Sequence, residues 1–238
     1  MKKRYFNIIC LFIVLLASNL LSKNGVAVIR EILGEKENSV TIVIDPGHGG
    51  FDPGKIGINK ALEKDINLSI SKKLKGYLEQ KGIKVIMTRE EDKGLHGENA
   101  GDKKRADMRK RVSIINESDA LIAVSIHQNS FTAESSKGFQ VFYYQNSVEG
   151  KLLAETLQEK TKDTLKDGNK REARPNQSYY MLKNTKCPLV IVECGFLSNW
   201  TEANLLCEEE YQKKIAWAIH LGLLEYLNLK AADLNALN

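Results

Sequence analysis

The run Asp45-Pro46-Gly47-His48-Gly49-Gly50 sets one imidazole in the middle of a glycine-rich turn. A tight turn needing positive φ accounts for Gly47, Gly49 and Gly50, but it does not account for His48, a side chain competent to bind metal. The run is neither GxGxxG nor GxxxxGK[ST], so a phosphate cradle is disfavoured. A second imidazole, His127, directly follows the apolar stretch ALIAVSI and precedes Gln128-Asn129-Ser130. Polar groups at the carboxyl ends of strands face the ligand crevice of an α/β sheet. The two histidines therefore converge if their strands are neighbours; a histidine that merely caps a strand end is the alternative. His96 and His220 stand beside no strand end and read as structural or solvated.

Acidic partners come from two places. Glu63 opens an apolar-periodic segment, where an acid also favours the helix dipole. Glu193 is harder to explain on structural grounds. It lies inside LVIVECGF, a run that otherwise asks for burial, where an unpaired carboxylate costs several kcal/mol unless it meets a partner. Cys194 offers a thiolate, yet strand alternation turns it to the face opposite Glu193, as a small core residue.

Two imidazoles and a carboxylate with an open position form a catalytic zinc arrangement. Such a metal lowers the pKa of water, and a further carboxylate accepts its proton and returns it to the leaving nitrogen. HExxH and HxxEH are absent, which excludes the common helical zinc-protease motifs. There is no GxSxG, and no cysteine is marked by a neighbouring histidine.

The elements that must position these groups alternate along the chain. Strands are expected at 40–44, 83–87, 120–126, 139–144 and 189–194, with a short one at 179–182. Helices are expected at 63–81, 105–117, 148–165 and 212–227, and Gly82 stands where a helix C-cap belongs. Residues 93–104 read as an exposed loop and 166–178 as a polar segment. The fold class is α/β, a single domain with a mixed, mostly parallel central sheet flanked by helices, because parallel neighbours need crossover connections.

At 238 residues, 42% of them hydrophobic, the chain can bury a full core. Its formal charge of +5 comes from the amino terminus: Lys2, Lys3, Arg4 and Lys23 precede residue 28, where there is no Asp or Glu. Without those four, the 35 basic residues nearly balance the 30 acidic ones, so nucleic acid is not an expected partner. The positive start followed by IICLFIVLLA reads as an export signal, and extended to Tyr5–Leu21 it approaches the length of an uncleaved anchor. The chain thus divides into a signal peptide or membrane anchor (1–27) that engages the membrane or translocon, a linker (28–39), a catalytic domain (40–230) and a tail (231–238). Cys10 lies in the apolar segment. Cys187, Cys194 and Cys207 remain, an odd number without CxxC spacing, so one bridge is allowed and none is required.

In order and spacing, DPGHGGFDPGKIG, LEKDINL, VIMTR, RKRVSIIN, AVSIHQNS and LVIVECGFLSN resemble the zinc-dependent N-acetylmuramoyl-L-alanine amidases of bacterial cell walls, the type 3 amidases. The resemblance covers roughly Thr41 to Leu227. It implies His48, Glu63 and His127 as ligands of one zinc ion, Glu193 as the catalytic glutamate, and hydrolysis of the amide between N-acetylmuramic acid and L-alanine in peptidoglycan. It also implies structural roles for Arg111 and Asn116 and a candidate substrate contact at Arg171.

The sequence leads us to expect no extra peptidoglycan-binding repeat and shows no obvious autoinhibitory helix. The lean architecture resembles the germination-type amidases of spore formers, which prepare muramic-δ-lactam in spore cortex, some of them with an accessory lipoprotein. Such a protein is expected to be exported, to the outer face of the cytoplasmic membrane, the cell wall or the forespore intermembrane space. The rivals are a zinc peptidase cutting the stem peptide and a catalytically silent wall-binding module.

Overall fold

The computed structural model describes residues 40–97 and 100–236. The expected export segment and linker, residues 1–39, lie outside the described residues. From Val40 onward, six strands form one sheet: β1 (Thr41–Pro46), β2 (Lys84–Met87), β3 (Ile122–Asn129), β4 (Gln140–Tyr144), β5 (Arg174–Asn176) and β6 (Leu189–Phe196). Their order is β2-β1-β3-β6-β4-β5. All pairings are parallel except that of β4 with β6, which makes the sheet mixed and mostly parallel.

The helices between the strands are α1 (Glu63–Glu79), α2 (Lys103–Glu117), α3 (Val148–Leu165), α4 (Tyr180–Asn184), α5 (Trp200–Leu205) and α6 (Glu209–Ala236). Strand alternation sorts the core into two layers. Even-numbered Ile42, Ile44, Val124, Ile126, Val190 and Val192 pack with Ile66, Ile70, Leu74 and Leu78 of α1 and with α3 and α6. That i, i+4 spacing is the apolar stripe of α1. Odd-numbered Val43, Ala123 and Ile191, with Phe142 opposite Ile191 on the antiparallel β4, pack with Val112 and Ile115 of α2 and with Met181 and Leu182 of α4.

Helix starts follow local capping chemistry. Asp102 accepts a hydrogen bond from Arg105 N at the head of α2 (3.0 Å), and Ser147 accepts one from Gly150 N at the head of α3 (2.9 Å). Three elements differ from expectation. Residues 179–182 do not form a strand: Asn176 Oδ1 accepts from the backbone of both Ser178 and Tyr179 at 2.8 Å, and this turn launches α4. The strand lies earlier, at Arg174–Asn176, on the sheet edge, where Pro175 is tolerated because it need not donate to a further strand. Helix α5, capped by Asn199 Oδ1 (3.0 Å to Glu202 N), was not foreseen. The last helix continues to Ala236, past the boundary drawn at 230.

Cys187, Cys194 and Cys207 are all free, and Cys194 is buried in the even-numbered layer. Among the described residues, no helix is long and apolar enough to cross a membrane.

Candidate metal centre

Strands β1, β3 and β6 are neighbours, so their carboxyl ends deliver His48, His127 and Glu193 to one place. Across β3 and β6, His127 and Glu193 stand directly opposite each other in register. The turn after β1 holds His48 at φ 62°, a left-handed conformation that costs a non-glycine residue about 1–2 kcal/mol. Two arginines hold it there. Arg89 donates to Pro46 O (2.9 Å) and Gly47 O (3.0 Å), and Arg111 donates to Pro46 O (2.7 Å) and His48 O. Arg111 also meets the fully buried Asp45 at 2.7 Å. Its charge, with hydrogen bonds from Ser125 and Thr88, keeps that carboxyl below the usual range against the opposing effect of burial.

Gly49 and Gly50 adopt the positive φ expected of the turn, but Gly47 does not. Gly47 is required for space, because a Cβ there would lie 2.2 Å from His127 Cε1.

His48, Glu63 and His127 each offer a ligand atom, and these atoms lie within 4.8 Å of one another. Glu63 Oε1 is 3.3 Å from His48 Nε2 and 3.0 Å from His127 Nδ1. The far nitrogen of His48, Nδ1, meets Asp52 Oδ2 at 2.9 Å. Glu63 itself is fixed by backbone donors, Lys55 N to Oε2 (2.7 Å) and Gln128 N to Oε1 (3.0 Å). Asn67 bridges Glu63, Gly47 O and the Gln128 side chain. Sequence reasoning missed Asp52, Asn67 and Gln128. Asp52 could have been found through the motif context of His48, whereas nothing local marks Asn67.

The electrostatics ask for positive charge. Burial opposes ionisation of both Glu63 and His48, yet the histidines hold the Glu63 carboxyl well below its ordinary value. Glu63 and Asp52 in turn raise His48 to about 9. A buried carboxylate between two imidazoles is a donor set that suits a divalent cation, and His2Glu is a zinc set. The residues present therefore fit one catalytic zinc ion.

Glu193 points into the same cleft with its Oε2 buried and unpaired, and burial pushes its pKa up to about 7, opposed by His127 and reinforced by Glu63. The cleft has a volume of about 500 Å³.

Arg171 is elsewhere. Its guanidinium stacks on Phe196 at 4.5 Å and donates to Lys137 O (2.7 Å) and Gln140 Oε1 (3.1 Å), lining a separate cavity. Asn116 ties α2 to the end of α4 through Asn184 O (3.0 Å) and Lys186 N (2.7 Å). His96 packs edge-on against Phe51, and His220 is buried against Trp217 and Tyr77, both away from the cleft.

An α/β sheet with a His2Glu set and an open cleft at its carboxyl edge defines a metal-dependent hydrolase. Residues 42–225 match the N-acetylmuramoyl-L-alanine amidase family called Amidase_3, and the chain belongs to that family. It is a zinc-dependent enzyme that hydrolyses the amide between N-acetylmuramic acid and L-alanine in peptidoglycan.

The germination-specific N-acetylmuramoyl-L-alanine amidase of Bacillus subtilis is 38% identical over 192 residues, 79% of this chain and 80% of that protein. The solved CwlD amidase of Clostridioides difficile, in complex with the GerS lipoprotein, is 42% identical with a TM-score of 0.78, over 80% of this chain and 99% of that one. A second amidase structure, from Clostridium difficile 630, is 32% identical with a TM-score of 0.72, over 81% and 98%.

Proposed function

We propose that His48, Glu63 and His127 are the zinc ligands, that Glu193 is the catalytic glutamate, and that the enzyme strips stem peptides from spore cortex peptidoglycan on the way to muramic-δ-lactam. The observation that carries the reading is the registration of Glu193 with His127 across β3 and β6, which sets an unpaired buried carboxylate beside the triad. Zinc in this set supplies a Lewis acid that makes water nucleophilic near neutral pH. Asp52 fixes the tautomer and ring orientation of His48 through Nδ1, leaving Nε2 toward Glu63. Glu193 takes the proton released as water attacks the lactyl carbonyl, then delivers it to the alanine nitrogen as the amide breaks. Arg171 lines a cavity of its own, so the substrate contact proposed for it is with polymer beyond the scissile bond.

The basic, apolar amino terminus supports export, with the catalytic domain on the outer face of the cytoplasmic membrane, in the cell wall or in the forespore intermembrane space. Similarity to an amidase solved with a lipoprotein supports an accessory lipoprotein as partner. The test is complementation of a spore former that lacks its germination-type amidase. The wild-type chain restores muramic-δ-lactam in cortex digests, and Glu193→Gln does not. Cortex without lactam despite wild-type expression and export refutes the cortex assignment. Stem peptides cut internally, rather than released with L-alanine at their head, would mark the peptidase alternative.

A further inference from the structure

Helices α1 and α6 meet along a seam that leads away from the metal edge and ends in an aromatic cluster. At its start Ser69 donates to Gln212 Oε1 at 2.6 Å, and Lys73 reaches the same oxygen at 3.2 Å. Further along, Tyr77 packs edge-on against Trp217 at 5.3 Å, and Trp217 lies against His220 at 5.0 Å. Tyr77 is fourteen positions along α1 from the candidate ligand Glu63, which at about 1.5 Å per residue sets it about 21 Å from the head of the helix. The cluster is thus remote from the cleft. Although its ring rests on two neighbours, Trp217 is 42% exposed.

The chain beside this cluster is basic. Helix α1 ends at Glu79, Gly82 turns the backbone at φ 75°, and β2 begins at Lys84. Lys81 and Lys84 are both exposed, while the acid of this turn, Glu79, faces Lys75 at 3.9 Å. Lys81 stands close enough to His220 for its charge to bear on that imidazole. Lys84 N donates to Val40 O at 3.0 Å, so the chain ahead of residue 40 joins the domain at this same corner.

Tryptophan and tyrosine flanked by lysine are the residue types found at the headgroup level of a bilayer. Lysine stems cover apolar surface there while their ammonium groups stay among phosphates. The sequence ahead of residue 40 gives the corner a reason to be near lipid, because it carries the apolar run Ile8–Ala17 behind Lys2, Lys3 and Arg4. A linker of the expected span, 28–39, reaches about 40 Å at most. Docking at its attachment point is then effectively intramolecular. We infer that the corner formed by Tyr77, Lys81, Lys84 and Trp217 seats on anionic phospholipid headgroups. The metal cleft is thereby held at the far end of α1, turned from the membrane toward the wall polymer. This rests on the reading of residues 1–27 as a membrane-engaging segment.

The two tryptophans of the chain provide the test, since Trp200 opens α5 beyond the carboxyl end of β6, at the metal edge. Full-length Trp200→Phe and Trp217→Phe, each with one reporter left, are reconstituted into phosphatidylglycerol vesicles with and without bromine on the acyl chains near the headgroups. Trp217 is expected to lose most of its emission to bromine, and Trp200 none. The wild type should lose the Trp217 share alone. Lys81→Gln combined with Lys84→Gln should lower the docked-to-free ratio by about 30-fold, the weight of two lysines at an anionic surface, read as recovered emission. Trp217 left unquenched in chains that sediment with the vesicles overturns the docking and leaves the membrane segment standing. Equal quenching of both tryptophans also overturns it, since no one end then faces lipid. A dimer that covers Trp217 in the absence of lipid assigns the corner to a second copy instead. Chains that do not sediment with the vesicles refute the membrane reading, and the docking with it.

Discussion

A carboxylate buried on a central strand with one oxygen unpaired is expensive to maintain, and Glu193 is such a group. A proton shuttle is dispensable for holding metal and needed in the transition state. Glu193→Gln is therefore expected to keep near-normal zinc while turnover falls by about 100- to 10,000-fold. Glu63→Gln should lose zinc itself, since a neutral amide is a poorer ligand than a carboxylate. Metal analysis and turnover measured on the same preparations check both; zinc lost from Glu193→Gln would recast that residue as a ligand. These residues were legible because each breaks a pattern. His48 interrupts a glycine turn, His127 ends an apolar strand, and Glu193 sits in an apolar run. Asp52, Asn67 and Arg89 interrupt no glycine turn or apolar strand run, and only the fold shows what they hold.

At the scale of elements, alternation of strand and helix was legible, but turn chemistry near the edge was not. The tyrosines at 179 and 180 carry strand propensity, yet the Asn176 side chain captures the following backbone and starts a helix, a case of local hydrogen bonding overriding propensity. Gly47 teaches a related lesson, since its need is the neighbouring strand's His127 ring and not its own φ. Gly47→Ala should displace that ring and weaken zinc binding by about 10- to 100-fold, as for other changes that misorient a ligand; zinc titration reads it, and unchanged affinity would show that the turn relaxes freely.

The α1–α6 contact carries a pH-dependent element. His220 is 1% exposed, its Nδ1 has no partner, and burial together with the charge of Lys81 lowers its pKa from 6.5. With the folded value below the unfolded one, its contribution to stability is complete above about pH 6.5 and is lost as pH falls through the folded value. Replacing it by Phe removes that dependence. Thermal melts should show wild type losing more Tm than His220→Phe on acidification from about pH 7 to about pH 5, and parallel slopes would refute the assignment.

For the molecule as a whole, the sheet assembles a site that no single element contains. The three candidate ligands come from the turn after β1, the first residue of α1 and the end of β3, with up to 79 positions of separation between His48 and His127. A cation bound there links three segments that meet only in the folded chain, so zinc binding is coupled to folding. At free zinc about 100 times the dissociation constant, binding to the native state alone adds about 2.7 kcal/mol. For a chain of about 150–250 residues, each kcal/mol moves Tm by about 2–4 °C. Adding zinc to metal-free protein should therefore raise Tm by about 5–11 °C, and a chelator should reverse the rise. The variants separate ligand from catalyst without any activity assay. His127→Ala should lose most of the zinc-dependent shift, because the set falls to two donors, while Glu193→Gln should keep it in full. Scanning calorimetry on the three proteins, each with and without zinc, reads the outcome. A full shift in His127→Ala would place the metal on other residues, and no shift in the wild type would mean that the triad does not bind zinc tightly enough to act as its catalytic centre.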